Sequence, residues 1–254
     1  MRLRILSWCL FFWGTLAFAM SDKELDALLT TIDDRQRNTG DYESAVTIIE
    51  KDGKDEKAFE ATVFRRDEDQ KWMILFLKPK SEAGRGYLRV DKNLFMYEPS
   101  LGKWERKTER ASIVGTGSQR SDFDATKLKE EFTTTYVGKE KLGVFSVHHL
   151  KLKAKPKVEV GYPVQELWVD VETQNILKRQ DFADSGKLMR TIRYPGWDKR
   201  YSVSKKGDVY VPRKIFIKDE VEKDIYTNIT IRDVRFDSLP INIFTKAWIE
   251  SKSK

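Results

Sequence analysis

Trp72-Met73-Ile74-Leu75-Phe76-Leu77 is a run of apolar residues closed by Lys71 on one side and Lys78-Pro79 on the other. A run this short, aromatic and bounded by charge reads as a strand covered on both faces. The segments before it keep a period of two. Tyr42, Ser44, Val46 and Ile48 alternate with Glu43, Ala45, Thr47 and Ile49; Asp52-Gly53 then supplies a turn, and Phe59, Ala61 and Val63 continue on a second strand. Beyond the run, Tyr87–Val90 and Leu94–Tyr97 flank the turn Asp91-Lys92-Asn93. Strands resume at Thr133–Val137 and continue through Val144–Lys153, Val164–Val171, Ile176–Phe182, Lys187–Tyr194, Val209–Lys218 and Ile225–Phe236. About eleven strands at this spacing predict one antiparallel sheet rather than βαβ units.

Two segments break the period. Ser21 and Glu24 form a capping box, and Leu25, Leu28, Leu29 and Ile32 follow at helical spacing until Asn38-Thr39-Gly40 stops them. This predicts a helix of roughly 18 residues. From Glu109 to Lys129 there is no alternation, only Ile113 and Val114 before Gly115 and Gly117, then Ser121-Asp122-Phe123-Asp124 opening a short helical stretch. One helix cannot cover such a sheet. Either the sheet closes on itself, or it curls into a half-barrel whose concave apolar face is partly plugged and holds a ligand.

Composition narrows the chemistry. The chain has 254 residues, 40% hydrophobic and 34% charged, with 14 Gly and 7 Pro, which excludes multi-span membrane, collagen-like and low-complexity chains. Its 7 Trp, 9 Tyr and 14 Phe predict a packed core. One Cys and two His leave no disulfide, zinc finger, thioredoxin-type centre or cysteine metal cage.

The first residues read as a secretory signal peptide. Arg2 and Arg4 precede an apolar run from Ile5 to Phe18, and Ala17-Phe18-Ala19 offers the small residues at −3 and −1 of a cleavage site. Residues 1–19 are therefore expected to leave after Ala19, taking Cys9 with them, and 20–254 to form a single domain. Loss of Arg2 and Arg4 lowers the net charge from +7 to +5. No later stretch is apolar enough to span a bilayer, so the expected location is the periplasm of a diderm bacterium.

Catalytic constellations are scarce. His148 and His149 are neighbours on a strand and point to opposite faces, so they cannot share a metal. No Gly-x-Ser-x-Gly elbow accompanies them. Gly115-Thr116-Gly117-Ser118-Gln119-Arg120 lacks the third glycine and the βαβ surroundings of a dinucleotide loop. Asp122/Asp124 and Glu166/Asp170 read as solvated strand faces before they read as a glycosidase pair. Lys151, Lys153, Lys155 and Lys157 alternate, which suits an edge strand blunted with Lys, or a surface for anionic head groups, better than nucleic acid. No metal, cofactor or enzymatic activity is expected.

Several segments, in order, resemble the periplasmic outer-membrane lipoprotein-sorting family, the LolA-like proteins. Lys71–Pro79 before Ala83-Gly84-Arg85-Gly86-Tyr87 is similar to the family's "Lys-Pro" strand and turn. Asn93-Leu94-Phe95-Met96-Tyr97-Glu98-Pro99, followed by Lys103-Trp104-Glu105-Arg106, resembles its "Asn-x-x-Trp/Phe-x-Tyr-x-Pro" strand. Gly117-Ser118 and Ser121-Asp122-Phe123 resemble its Gly-Ser-Asp-Phe segment, interrupted here by Gln119-Arg120. Glu166-Leu167-Trp168-Val169-Asp170 is similar to its "x-Leu-Trp-Val-Asp" strand, with Ile176-Leu177 where the family has Leu-Pro. Tyr210–Lys214, Ile229–Phe236, Leu239-Pro240 and Ile243-Phe244 are similar to its ending. The resemblance spans nearly all of 42–245. It implies a non-enzymatic, monomeric periplasmic carrier that ferries acyl chains of lipoproteins, or lipids, between inner and outer membrane. The implied partners are the acylated cargo, an inner-membrane export complex or permease, and an outer-membrane acceptor. A free-lipid carrier working with an inner-membrane exporter, and a non-catalytic envelope protein-binding module, stand as alternatives.

The expected fold is therefore mainly β: one strongly curved antiparallel half-barrel with an N-terminal helix and a short helical lid over an apolar cavity. Lipid-lining candidates are Trp72, Ile74, Phe76, Tyr87, Phe95 and Trp168; on the central run the neighbours Met73, Leu75 and Leu77 are the alternative set, since only one set faces inward. Ile113, Val114 and Phe123 are the lid candidates.

Overall fold

A computed structural model of the chain describes residues 20–108 and 110–253. The signal-peptide reading of 1–19 lies outside the described residues. Thirteen strands form one open, curved antiparallel sheet. They are β1 (Asp41–Asp52), β2 (Asp55–Arg66), β3 (Lys71–Lys78), β4 (Gly86–Val90), β5 (Asn93–Glu98), β6 (Lys103–Lys107), β7 (Phe132–Leu142), β8 (Phe145–Ala154), β9 (Val164–Asp170), β10 (Ile176–Phe182), β11 (Leu188–Ser202), β12 (Gly207–Asp219) and β13 (Ile225–Arg235). The strand missed by alternation is β6, whose Lys-Trp-Glu-Arg-Lys carries a single large apolar residue, as suits an edge.

The strand order is β6-β5-β4-β3-β2-β1-β13-β12-β11-β10-β9-β8-β7. First and last strands meet in the middle, with Ile48 opposite Ile229. Consecutive strands β6 and β7 sit at opposite edges. The chain between them must therefore cross from edge to edge, and it does so over the concave face. This topology is why the alternation stops after β6.

The run at β3 is buried on both faces for two different reasons. Trp72, Ile74 and Phe76 face inward and pack with Val46, Ile48, Phe59 and Val63 from neighbouring strands. Met73 faces outward, where Phe64, Leu88 and Tyr97 meet Ile243, Phe244 and Ile249 of the C-terminal segment. That segment ends in α3 (Lys246–Lys252), capped by the Thr245 hydroxyl on the Trp248 amide. Gly86 makes the approach possible: a Cβ there would lie 2.5 Å from Ile249 Cγ2.

The N-terminal helix α1 spans Asp22–Arg35, 14 residues, with the Ser21/Glu24 capping box formed. It is shorter than its periodicity suggests because Asn38 has another task. Fully buried, Asn38 donates to the Asp41 carbonyl at 2.7 Å and accepts from Ser202 at 2.6 Å. Leu28, Leu29 and Ile32 of α1 cover the inner face of β7–β10 through Leu150, Leu152, Leu167 and Val169. Burying such side chains contributes roughly 1.5–3 kcal/mol each, more than helix propensity could.

Two lysine assignments need correction. β8 is paired on both sides, by β7 and β9, so Lys151 and Lys153 do not lie on an edge strand. They stand on its outer face, and the charged edges are β6 and β7, with Lys103 and Lys107 on one and Lys139 and Lys141 on the other.

Beyond Arg193, β11 no longer pairs with β10, and β12 before Lys214 no longer pairs with β13. The register shifts around Gly196, where a Cβ would lie 2.7 Å from Arg213 Nη2. The distal hairpin leaves the sheet as an arm over the C-terminus of α1. Lys205 Nζ there donates to the Arg37 carbonyl and pairs with the Asp34 carboxylate, both at 3.0 Å, a favourable cation position at a helix C-terminus.

Candidate functional site

Residues 110–127 form an irregular insert, with one 3-10 turn at Arg120–Asp122, leading into the four-residue α2 (Leu128–Glu131). It is a loop held by side chains more than a helical lid. A Ser112–Gln119 bridge closes its tip, where Val114 and Gly115 adopt the left-handed conformation. Ile113 and Phe123 point into the inner core; Val114 packs at its margin and donates its amide to the Tyr87 hydroxyl at 2.9 Å. Phe123 lies against Trp72 with ring centroids 5.8 Å apart. The structure thus brings Trp72, Ile74, Phe76 and Tyr87 together with Ile113, Val114 and Phe123.

Phe95 and Trp168 do not join them. Phe95 is one residue out of step with inward Leu94 and lies on the outer face under Lys246, 4.4 Å from its ring centroid. Trp168 is likewise one step from inward Leu167 and Val169. Its ring stacks on His149 at 4.4 Å and carries Lys178 Nζ at 3.6 Å, while its indole donates to Glu140. Both are lipid-lining candidates of the sequence, and strand parity puts them outside. His148 and His149 occupy opposite faces as expected, the first bonded to Tyr136 and the second to Glu166.

Asp122 and Asp124 are not solvated carboxylates. Asp122 is buried and forms a four-membered ion cluster with two arginines and Asp181. Arg179 Nη2 lies 2.6 Å and Arg190 Nη1 3.0 Å from Asp122, and Arg190 Nη2 lies 2.8 Å from Asp181. Burial pushes the Asp122 carboxyl up, but Arg190 and Arg179 more than reverse this and hold it below the usual range. Two cations balance two anions, so the buried cluster is neutral, and it fastens the insert to β10 and β11. Asp124 accepts from the Trp72 indole at 2.5 Å and pairs with Arg89 and Arg120.

A second attachment holds the tip. Gly117 donates its amide to Thr227 at 2.9 Å, and the Thr227 hydroxyl donates to Glu50. A Cβ on Gly117 would meet Thr227 Oγ1 at 2.7 Å, so glycine serves close approach and not phosphate binding.

Between the insert, the chain after α1 and the sheet lies a cavity of 140 Å³. Leu167 and Tyr194 line it beside Arg120, Asp124, Glu131 and Arg179, so the apolar surface of the inner face is largely spent on the insert and α1. The cavity under the insert is thus small and charged in part; a larger, more open groove of 920 Å³ lies between α1 and β7–β8, lined by Met20, Leu28, Tyr136 and His148. Burial raises the Glu131 carboxyl to about 7, against the pull of Lys127 and with the push of Asp124 and Glu130.

Sequence reasoning missed Arg179, Asp181 and Arg190. Ile176 and Arg179 both face inward because the register shifts between Ile176 and Lys178, which breaks the period on which a face assignment depends. Charged Arg179 and Asp181 two residues apart, with Arg190 on the next strand, were the available signal. Among the described residues no group of three or more His, Cys, Asp and Glu is placed to hold a metal, and no helix is long and apolar enough to cross a membrane.

This open sheet with its crossing insert is the LolA-like fold. A LolA superfamily protein from Nitrosomonas europaea superposes with a TM-score of 0.72 at 19% identity, over 88% of this chain and 98% of that one. A domain described as an outer membrane lipoprotein-sorting protein, from Vibrio parahaemolyticus, gives 0.76 at 18%, covering 88% and 97%. A DUF1329 family protein from Desulfovibrio piger gives 0.77 at 17%, covering 88% and 98%. At these identities the likeness is one of fold. A family model described as "Uncharacterized protein" matches residues 68–251, and the chain belongs to that family. No curated protein matches.

Proposed function

We propose that this protein is a non-enzymatic periplasmic carrier that takes acyl chains of lipoproteins or lipids against the inner face of its sheet. The observation that carries the reading is that the inner face is sealed by an insert and a helix, not by strands. Both seals can leave without breaking a ladder hydrogen bond of the sheet. A 16-carbon chain offers roughly 10 kcal/mol of gross burial, and a carrier must recover most of it at delivery. Ile113 and Phe123 already occupy the apolar wall, so cargo would replace lid contacts with cargo contacts of similar worth. The cavity under the insert is below the roughly 300–1,000 Å³ of ordinary ligand pockets, so uptake against this part of the wall requires the insert to move, whereas the 920 Å³ groove beside α1 is already open. Cargo would come from an inner-membrane export complex or permease and pass to an outer-membrane acceptor.

The small cavity under the insert also favours a second reading, an envelope protein-binding module whose inner face stays packed there. One experiment separates the two. A Cβ built on Gly117 would lie 3.7 Å from Thr227 Cβ, within the range for a disulfide. In a Cys9→Ser background, oxidised Gly117→Cys/Thr227→Cys is expected to lose fluorescent fatty-acid and acyl-peptide binding, and reduction to restore it. Equal uptake by tethered and reduced protein would defeat the moving-insert mechanism, and no uptake by wild type would defeat the carrier reading.

A further inference from the structure

The arm formed by the distal halves of β11 and β12 ends in Tyr201-Ser202-Val203. Ser202 turns inward to Asn38, and its two neighbours point outward, Tyr201 66% and Val203 80% exposed. An aromatic and an aliphatic residue displayed on a tip anchored from behind call for a partner. Lys199, Arg200 and Lys206 surround them, all exposed, with Arg213 farther down the arm. Between 198 and 213 the counter-charges are Asp198 and Asp208. Asp208 pairs with Lys199 at 2.9 Å; Asp198 lies 3.4 Å from Arg213 and 3.7 Å from Arg200. The tip is net positive.

We infer that this tip docks on an anionic membrane surface, Tyr201 and Val203 entering the interface and Arg200, Lys206 and Lys199 meeting lipid phosphates. One other turn at this end agrees, while the β2–β3 turn, Asp67-Glu68-Asp69-Gln70, is acidic and leaves the attraction to the arm side of the rim. The β7–β8 turn, at the same end of the sheet, presents Val144 and Phe145, 86% and 49% exposed, beside Lys141. Two apolar tips at one end suit a lipid plane, which needs no matching contour, better than a phosphate track along a nucleic acid. Gln36, Arg37, Gln70 and Lys71, which line the inner cavity, lie at this end too, so docking would turn the cavity toward the lipid. The inference stands on the tip and its charges and does not need the carrier reading.

Vesicle sedimentation tests it. The protein is expected to bind phosphatidylglycerol/phosphatidylethanolamine vesicles, weaken at high salt, and bind phosphatidylcholine vesicles far less. Each cation near an anionic surface is worth about fivefold in partitioning, so Lys199→Gln/Arg200→Gln/Lys206→Gln should lower it about 100-fold. Tyr201→Ser/Val203→Ser should lower it by at least about tenfold. Far-UV circular dichroism should not change, because all five side chains are exposed. A nitrobenzoxadiazole probe on Val203→Cys, in a Cys9→Ser background, should brighten with anionic vesicles only. Binding unchanged by both sets of substitutions, no binding to anionic vesicles, or a probe blind to lipid would overturn the inference, whether or not the protein takes up acyl chains.

Discussion

Glu131 shows how one residue can couple the site to pH. It sits in the four-residue α2 between inward Leu128 and Phe132, and burial lifts its carboxyl to about 7. Below the unfolded-state value near 4.5 it is protonated folded or unfolded, and stability does not change with pH on its account. As pH rises toward 7 the unfolded chain ionises first, and above 7 the fold must hold a half-buried carboxylate. Stability present below 4.5 is therefore lost as pH rises from there through about 7. Thermal melts of Glu131→Gln and wild type should nearly coincide at pH 4 and separate by pH 8, the variant melting higher. A constant difference across that range would remove Glu131 from the account. Phe95 and Trp168 teach the complementary lesson: a one-residue step along the strand from inward Leu94 and Leu167 puts both outside.

Two contacts fix the elements that cover the sheet. Gly86 admits Ile249 of α3, so Gly86→Ala should cost about 1–3 kcal/mol through overpacking. Ile249→Ala removes the clashing atoms, so the double variant should cost less than the two single costs added, read from urea unfolding. Additive costs would show that α3 does not press on β4. The insert depends on Asp122. Asp122→Asn leaves Arg179 and Arg190 sharing Asp181 alone, and should cost about 3–5 kcal/mol at pH 7. Because the Asp122 carboxyl is depressed in the fold, its contribution is present above the unfolded value of 3.8 and disappears as pH falls through the folded one. Amide exchange in the variant should quicken at 113–123 before it does in β1 and β13. Uniform acceleration would mean that the insert and sheet open together.

At the scale of the whole molecule, the first and last strands, β1 and β13, pair, and Tyr194 touches both inner clusters. Heat unfolding followed by tryptophan fluorescence and by far-UV circular dichroism should therefore superpose, and separated midpoints would reveal two units. Nearly all the strands, the capped helix and the antiparallel class could be read from residues alone, because each follows from neighbours two to four positions apart: Val46 with Ile48, Leu28 with Ile32, Ser21 with Glu24. The irregularity at 110–127 was legible too, though its purpose was not. That Trp72, Ile74 and Phe76 rather than Met73 and Leu75 face inward depended on where the C-terminal segment, some 170 residues later, comes to rest. The Asp122–Arg179–Asp181–Arg190 cluster needed a register shift at Leu177 and an edge-to-edge crossing to assemble. Period and capping are local and survive in any arrangement of the chain. Which face is concave, and which charges meet there, exists only after distant strands have paired.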